Sequence, residues 1–269
     1  MNTNYDFTVK LKANDTGSAV LVKQNDSYYL LTAAHVCGEY TGKEPIVITD
    51  ISGNENEVIP TEMAISPTEE FDICVMKLPE EIAMAVAANV KCATFEGSGY
   101  PCEIDGFPSN AMDHKLRIEN KCYISQESEV GNELYVKLDE ERKDGMEMQY
   151  MESGFSGSGV FVDSNGTKYL VGIIHKVEEE RNLFIGWKLQ KINEVIKSEG
   201  WAEIPLIPIE QCQQIINQYN KLIDNTESVL KRIKNKIVGK IQLARQEYKD
   251  KFFFRNRKYR YHYRRSWYR

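Results

Sequence analysis

Short apolar stretches bounded by turn residues recur along the first 188 residues, and they limit the possible folds more than any other feature. Runs such as 18–23, 28–33 and 168–177 are rich in β-branched and aromatic residues. Turn sequences lie between them, and Ser164-Asn165-Gly166 between two such runs predicts a hairpin. Many short strands at this spacing predict a mainly β protein, built as a barrel or a sandwich.

The apolar period changes near residue 189. Leu189, Ile192, Val195 and Ile196 follow helical spacing and Gly200 ends the run, which predicts a short amphipathic helix. Residues 201–208 contain two prolines and are predicted to form an extended linker. From 209 to 250 apolar residues again lie mostly three or four apart, so we expect helix, either continuous or broken into a hairpin at 224–226. The predicted organisation is therefore a domain at 1–200, a linker at 201–208, a helical segment at 209–250 and a tail at 251–269.

Charge separates the tail from the rest of the chain. Residues 251–269 carry eight Lys or Arg and no acidic residue, whereas the first 250 residues have a balance of −14. Eight aromatic residues interleave with the basic ones. This composition is typical of a segment that binds nucleic acid, an anionic membrane surface or a protein partner. We favour a protein partner or the acidic part of the same chain, with nucleic acid second. The helical segment could equally fold back on the strands or pair with another protein.

Location and redox state are predicted from the N-terminus and the cysteines. The chain begins without the basic start and apolar stretch of a secretory signal, and no run of 18 apolar residues predicts a membrane span. We therefore expect a cytoplasmic protein whose six cysteines are reduced. The cysteines form neither a CxxC pair nor a cluster with histidines, so no metal site is expected.

Three segments contain residues suited to nucleophilic catalysis. His35 follows small residues at the end of an apolar run, Asp72 begins another apolar run, and Ser156 lies among glycines. A buried carboxylate can accept a hydrogen bond from an imidazole, and glycines allow a tight turn that exposes main-chain N–H groups beside a hydroxyl. Each segment alone is commonplace, but together they have the order His, Asp, Ser.

These segments resemble the signature blocks of the chymotrypsin/trypsin clan. The matching sequences are TAAH at 32–35, DICVMKL at 72–78 and GFSGSG at 154–159, and Gly106-Phe107-Pro108 is similar to a strand of bacterial members. The resemblance covers residues 5–198 and implies a chymotrypsin-like double β-barrel. It also implies Ser156 as nucleophile, His35 as base, Asp72 as its partner, the N–H groups of Gly154 and Ser156 as an oxyanion hole, and no cofactor.

The sequence departs from the clan at several positions. Phe155 replaces the aspartate used in zymogen activation, and Cys37 has no upstream cysteine to pair with. By the resemblance, Tyr150 lies at the base of the substrate pocket, which favours small or medium apolar side chains; an acidic rim from 178–180 could instead attract a basic one. His175 is the second candidate pocket residue and is expected near Asp72, where it either hydrogen bonds that carboxylate or only packs against it.

The predicted function is an intracellular serine endopeptidase that cleaves protein or peptide substrates and is controlled by a partner through residues 209–269. Trypsin-like domains with such extensions resemble the effector proteases of bacterial antiphage defence, which makes that role an expectation by analogy. The alternative is a catalytically inactive scaffold that uses its helical segment and tail to bind a partner or nucleic acid.

Overall fold

A computed structural model describes residues 7–24, 27–67, 70–80, 90–108, 116–129, 131–138, 154–164, 166–178, 181–209, 226, 228–246 and 248–249. The chain divides into two compact units, Met1–Gln213 and Gln214–Arg269. The apolar runs at 18–23, 28–33 and 168–177 all lie in the first unit, and each lies within a strand.

The first sheet has seven strands. They are β1 (Thr8–Lys12), β2 (Thr16–Gln24), β3 (Ser27–Ala33), β4 (Ile46–Thr49), β5 (Glu55–Val58), β6 (Glu62–Ser66) and β7 (Ile73–Leu78), in the spatial order β5-β4-β1-β2-β3-β7-β6. The alternation of side chains explains why the segments fold this way: in β1, Val9 and Leu11 are buried, whereas Lys12 is exposed. The sheet is barrel-like, and the turn α1 (Ala34–Cys37) follows β3 directly.

The second sheet closes on itself. It contains β8 (Lys91–Thr94), β9 (Pro101–Gly106), β10 (Leu116–Ile124), β11 (Glu133–Leu138), β12 (Gly159–Ser164), β13 (Thr167–Glu178), β14 (Leu183–Lys188) and β15 (Ile207–Pro208), with a short 3-10 turn at Gln126–Glu129. Strand β12 pairs with both β9 and β13, which closes a barrel of six strands. Outside this barrel, β8 pairs with β13, and β15 pairs with β8. The predicted hairpin joins β12 to β13, with Ser164 opposite Thr167.

Three apolar clusters hold this unit together. One fills the first barrel around Leu11 and Leu30, and a second fills the other barrel around Ile104 and Phe184. The third lies between the barrels, where the rings of Phe7 and Phe161 stack 6.1 Å apart. The fold is therefore mainly β with two barrels, as the sequence predicts.

The predicted short helix is α2 (Leu189–Ser198), and it packs onto the cluster between the barrels. Leu189, Ile192, Val195 and Ile196 are all buried, and Gly200 ends the helix with a φ of 73°. Residues 201–208, predicted to be an extended linker, are extended but packed onto this unit. Asn193 of α2 exchanges two hydrogen bonds of 2.8 Å with the main chain of Ile204, and Trp201 stacks on Tyr29 at 6.0 Å.

The second unit is described at residues 226, 228–246 and 248–249, all of which are helical. We call residues 228–246 the C-terminal helix. Its helical period agrees with the sequence prediction, whereas the proposed break at 224–226 lies mostly outside the described residues, as do Cys212 and the tail at 251–269. Among the helices that the structure describes, none has the length and apolar character needed to cross a bilayer.

Candidate active site

His35 is held at the corner between β3 and α1. Its neighbours Ala33 and Ala34 are buried, and their small side chains let this corner approach the start of β7. The main-chain N–H of Ala34 donates to the carbonyl oxygen of Asp72 at 3.1 Å. The His35 side chain itself remains 39% exposed, so one edge of the imidazole faces solvent while the other is fixed.

Asp72 is buried and binds His35 through both carboxylate oxygens. Its Oδ1 accepts the main-chain N–H of His35 at 2.9 Å, and its Oδ2 lies 2.8 Å from His35 Nδ1. Asp72 also has a φ of 52°, a left-handed conformation that costs a non-glycine residue about 1–2 kcal/mol. Such strain is concentrated at functional sites, and here the bonds to His35 maintain it.

Ser156 lies on a tight turn between Gly154 and Gly157, which both have a φ of 88°. A Cβ atom at Gly157 would lie 1.8 Å from the carbonyl oxygen of Ser18, so only glycine fits there. The carbonyl oxygen of Ser156 accepts the N–H of Ser18 at 2.8 Å. The hydroxyl of Ser156 donates to the carbonyl oxygen of His175 at 3.3 Å.

The two barrels bring these residues together across a narrow contact. Gly17 of β2 lies between Val36, the residue after His35, and the main chain of Ser156. A Cβ atom at Gly17 would lie 2.7 Å from Val36 Cγ2 and 3.0 Å from the carbonyl oxygen of Ser156. The predicted histidine, aspartate and serine are therefore neighbours in the fold, although 121 residues separate His35 from Ser156 in the chain.

The electrostatics of the pair favour a charged imidazole. The hydrogen bond to Asp72 raises the pKa of His35 above its ordinary value, and burial opposes this only in part. Burial by itself would raise the pKa of Asp72, but hydrogen bonds from His175 and from the ring and main chain of His35 outweigh it and hold that pKa well below its usual range. Asp72 therefore stays ionised and stabilises positive charge on His35.

His175 of β13 also lies against Asp72. Its Nδ1 is 3.4 Å from Asp72 Oδ2, and its ring stacks on Trp187 with 5.7 Å between the centroids. Its Nε2 is buried, with no hydrogen-bond partner among the residues that the structure describes. The structure therefore places His175 beside Asp72, the position expected from the sequence.

The predicted pocket residues are only partly described. Tyr150 lies outside the described residues, as do 179 and 180 of the acidic rim. Glu178 is described, and its carboxylate lies 3.2 Å from Lys176 Nζ and 3.3 Å from Arg181 Nη1. Because two cations already neutralise Glu178, this residue adds little attraction for a basic substrate side chain.

The predicted oxyanion hole has its donors available. In the described part of the chain, neither the N–H of Gly154 nor that of Ser156 has an acceptor. Phe155 between them is fully buried, with its ring 5.5 Å from that of Phe184 in the core of the second barrel. An apolar anchor thus fixes the turn at the position where zymogens of the clan carry an aspartate.

Ser18 is a site residue that the sequence did not reveal. Its hydroxyl donates to the carbonyl oxygen of Gly154 at 2.9 Å and accepts the N–H of Phe107 at 2.8 Å. Its carbonyl oxygen accepts the hydroxyl of Thr32 at 2.8 Å. The available signal was the hydroxyl of Ser18 in the otherwise apolar run at 18–23, a place where a buried hydroxyl needs partners.

Comparison with known proteins agrees with this geometry. The chain belongs to the trypsin family, whose model matches residues 1–196. It is similar in fold to a solved structure described as "Crystal structure of Rv3671c protease, inactive form", with a TM-score of 0.51 and 12% sequence identity over 72% of this chain and 89% of that one. No curated protein sequence matches the chain. The protein therefore carries a trypsin-like protease domain.

Proposed function

We propose that the protein is a serine endopeptidase in which Ser156, His35 and Asp72 act as a catalytic triad. Ser156 Oγ attacks the scissile carbonyl carbon while His35 Nε2 takes its proton. The C–N bond then breaks as His35 returns that proton to the leaving amine, and water releases the acyl group by the same route. The N–H groups of Gly154 and Ser156 receive the oxyanion.

The observation that carries this proposal is the double contact between His35 and Asp72. Because Nδ1 of His35 is bound to Asp72 at 2.8 Å, the ring presents Nε2 as the proton acceptor. The ionised Asp72 stabilises the imidazolium that forms during attack. His175 supports this arrangement as a positioning residue, since its Nδ1 contacts the same Oδ2 atom from another strand.

One observation favours the alternative of an inactive scaffold. In its present rotamer the Ser156 hydroxyl donates to the carbonyl oxygen of His175 at 3.3 Å. A single rotation about χ1 redirects a serine hydroxyl, and such rotamers exchange within nanoseconds. We therefore retain catalysis as the leading proposal, and the experiment below separates the two.

The finer parts of the function are also proposals. We propose protein or peptide substrates, and control by a partner that binds within 209–269. Cys37, Cys74, Cys92 and Cys102 are buried and form no disulfide, which supports a cytoplasmic location because disulfides are rare there. The preference for small or medium apolar side chains and the role in bacterial defence stay predictions.

The test uses a serine two residues from the proposed nucleophile as its control. A peptide library digested with the wild-type chain and read by mass spectrometry should reveal cleavage. The substitutions Ser156→Ala and His35→Ala should each lower turnover by about a thousandfold or more. Ser158→Ala should leave it nearly unchanged, because the buried Ser158 hydroxyl has no partner among the described residues. Hydrolysis by Ser156→Ala at the wild-type rate would exclude the triad. If the wild type shows no hydrolysis, the inactive scaffold is favoured.

A further inference from the structure

The C-terminal helix exposes a line of large apolar side chains. Leu230, Ile233, Ile237 and Ile241 are each between 47% and 60% exposed. Their spacing of three and four residues puts them on one side of the helix, within an arc about 80° wide at 100° per residue. We call these four residues the apolar arc. Exposed apolar area of this kind marks a binding surface.

The charges of the same helix are arranged around this arc. Residues 228–246 contain six Lys or Arg and no acidic residue. Lys236 and Lys240 border the arc on one side, and Lys234 and Arg245 border it on the other. The opposite side of the helix carries the neutral residues Asn235, Gln242 and Gln246 together with Arg232. Four of these six basic residues therefore lie where the arc meets its surroundings.

This pattern selects among the possible occupants. A second copy that packed its arc against this one would bring lysine against lysine along both borders, which is unfavourable. Nucleic acid binds basic residues through its phosphates and would leave the arc in water. A membrane of anionic lipids satisfies both features, because the arc enters the boundary of headgroups and acyl chains while the bordering Lys and Arg reach the phosphates.

We propose that the C-terminal helix lies flat on the surface of an anionic phospholipid bilayer and so recruits the protein to it. The tail that follows in sequence has the same chemistry, with eight basic and eight aromatic residues at 251–269. Aromatic and basic side chains together are typical of segments at the interface of a membrane. This site is separate from the proposed protease chemistry and does not depend on it.

The test is flotation of the full chain with lipid vesicles. Vesicles of phosphatidylcholine with 30% phosphatidylserine should bind the protein at least tenfold more strongly than pure phosphatidylcholine, and high salt should weaken that binding. The double substitution Ile233→Ser/Ile237→Ser should lower the partition coefficient at least tenfold. The matched control is Val238→Ser/Leu243→Ser, which changes two side chains that are 43% and 67% exposed but lie outside the arc. The partition coefficient of this control variant should stay within about twofold of the wild-type value.

Circular dichroism should give the same helix content for both double variants, since each replaces two aliphatic residues by serine. Equal binding to the two kinds of vesicle, no binding to either, or equal losses in the arc and control variants would overturn the proposal. A gel-shift titration with single-stranded RNA tests nucleic acid as the occupant. Tight RNA binding that the arc variant retains, together with absent vesicle binding, would assign the helix to nucleic acid.

Discussion

Replacing Ser18 by alanine should destabilise the protein and impair the proposed nucleophile turn together. The Ser18 hydroxyl is buried and satisfies two main-chain groups of the second barrel, the carbonyl oxygen of Gly154 and the N–H of Phe107. Alanine leaves both groups buried without a partner, at about 1–3 kcal/mol each. The free energy of unfolding should therefore fall by about 2–6 kcal/mol, a large share of the 5–15 kcal/mol typical of a domain.

The matched control is Ser158→Ala. Ser158 is as buried as Ser18, but its hydroxyl has no hydrogen-bond partner within the described part of the chain, so its removal should cost less than about 1 kcal/mol. Urea denaturation followed by tryptophan fluorescence gives both values. Because the N–H of Gly154 is a proposed oxyanion donor, Ser18→Ala should lower kcat by at least about tenfold, whereas the control should not. Equal unfolding free energies for the two variants would refute this account of Ser18.

Two further predictions concern the pH dependence and the turn. Because the hydrogen bond to Asp72 raises the pKa of His35, the imidazole stays protonated to a higher pH. The acid limb of the pH profile of kcat/KM should therefore have its midpoint above 6.5, and a midpoint below 6.5 would contradict the raised pKa. Gly157→Ala should abolish labelling of Ser156 by an active-site probe, because its Cβ would lie 1.8 Å from a carbonyl oxygen. The matched control is Gly166→Ala, where φ is 77° and the space around the residue is open. This control should lower the free energy of unfolding by only about 1–2 kcal/mol and leave labelling intact.

The sequence predicted the strands, α2 and the segments that contain His35, Asp72 and Ser156, because each depends on a local pattern. Period-two alternation defines strands such as β1, and small residues beside His35 define a close-packed corner. Glycines on both sides of Ser156 define its turn. The resemblance to a known clan then supplied the pairing of these segments, which local patterns do not contain.

Contacts between segments far apart in the chain were not predictable in the same way. The hydroxyl of Ser18 bonds groups 89 and 136 residues away, and no local period records such a partner. The packing of 201–208 was missed because two prolines indicate extended backbone without indicating what it contacts. The burial of Phe155 against Phe184 depends on closure of the second barrel, so the sequence showed only that an aspartate was absent.

The central claim is that Ser156 is a nucleophile activated by His35. The most direct measurement is the reaction of the purified chain with a fluorophosphonate probe, followed by intact mass spectrometry and peptide mapping. We expect one adduct per chain, located on Ser156, and a labelling rate in His35→Ala that is orders of magnitude below that of the wild type. An adduct on another residue, no adduct in the wild type, or undiminished labelling in His35→Ala would contradict it.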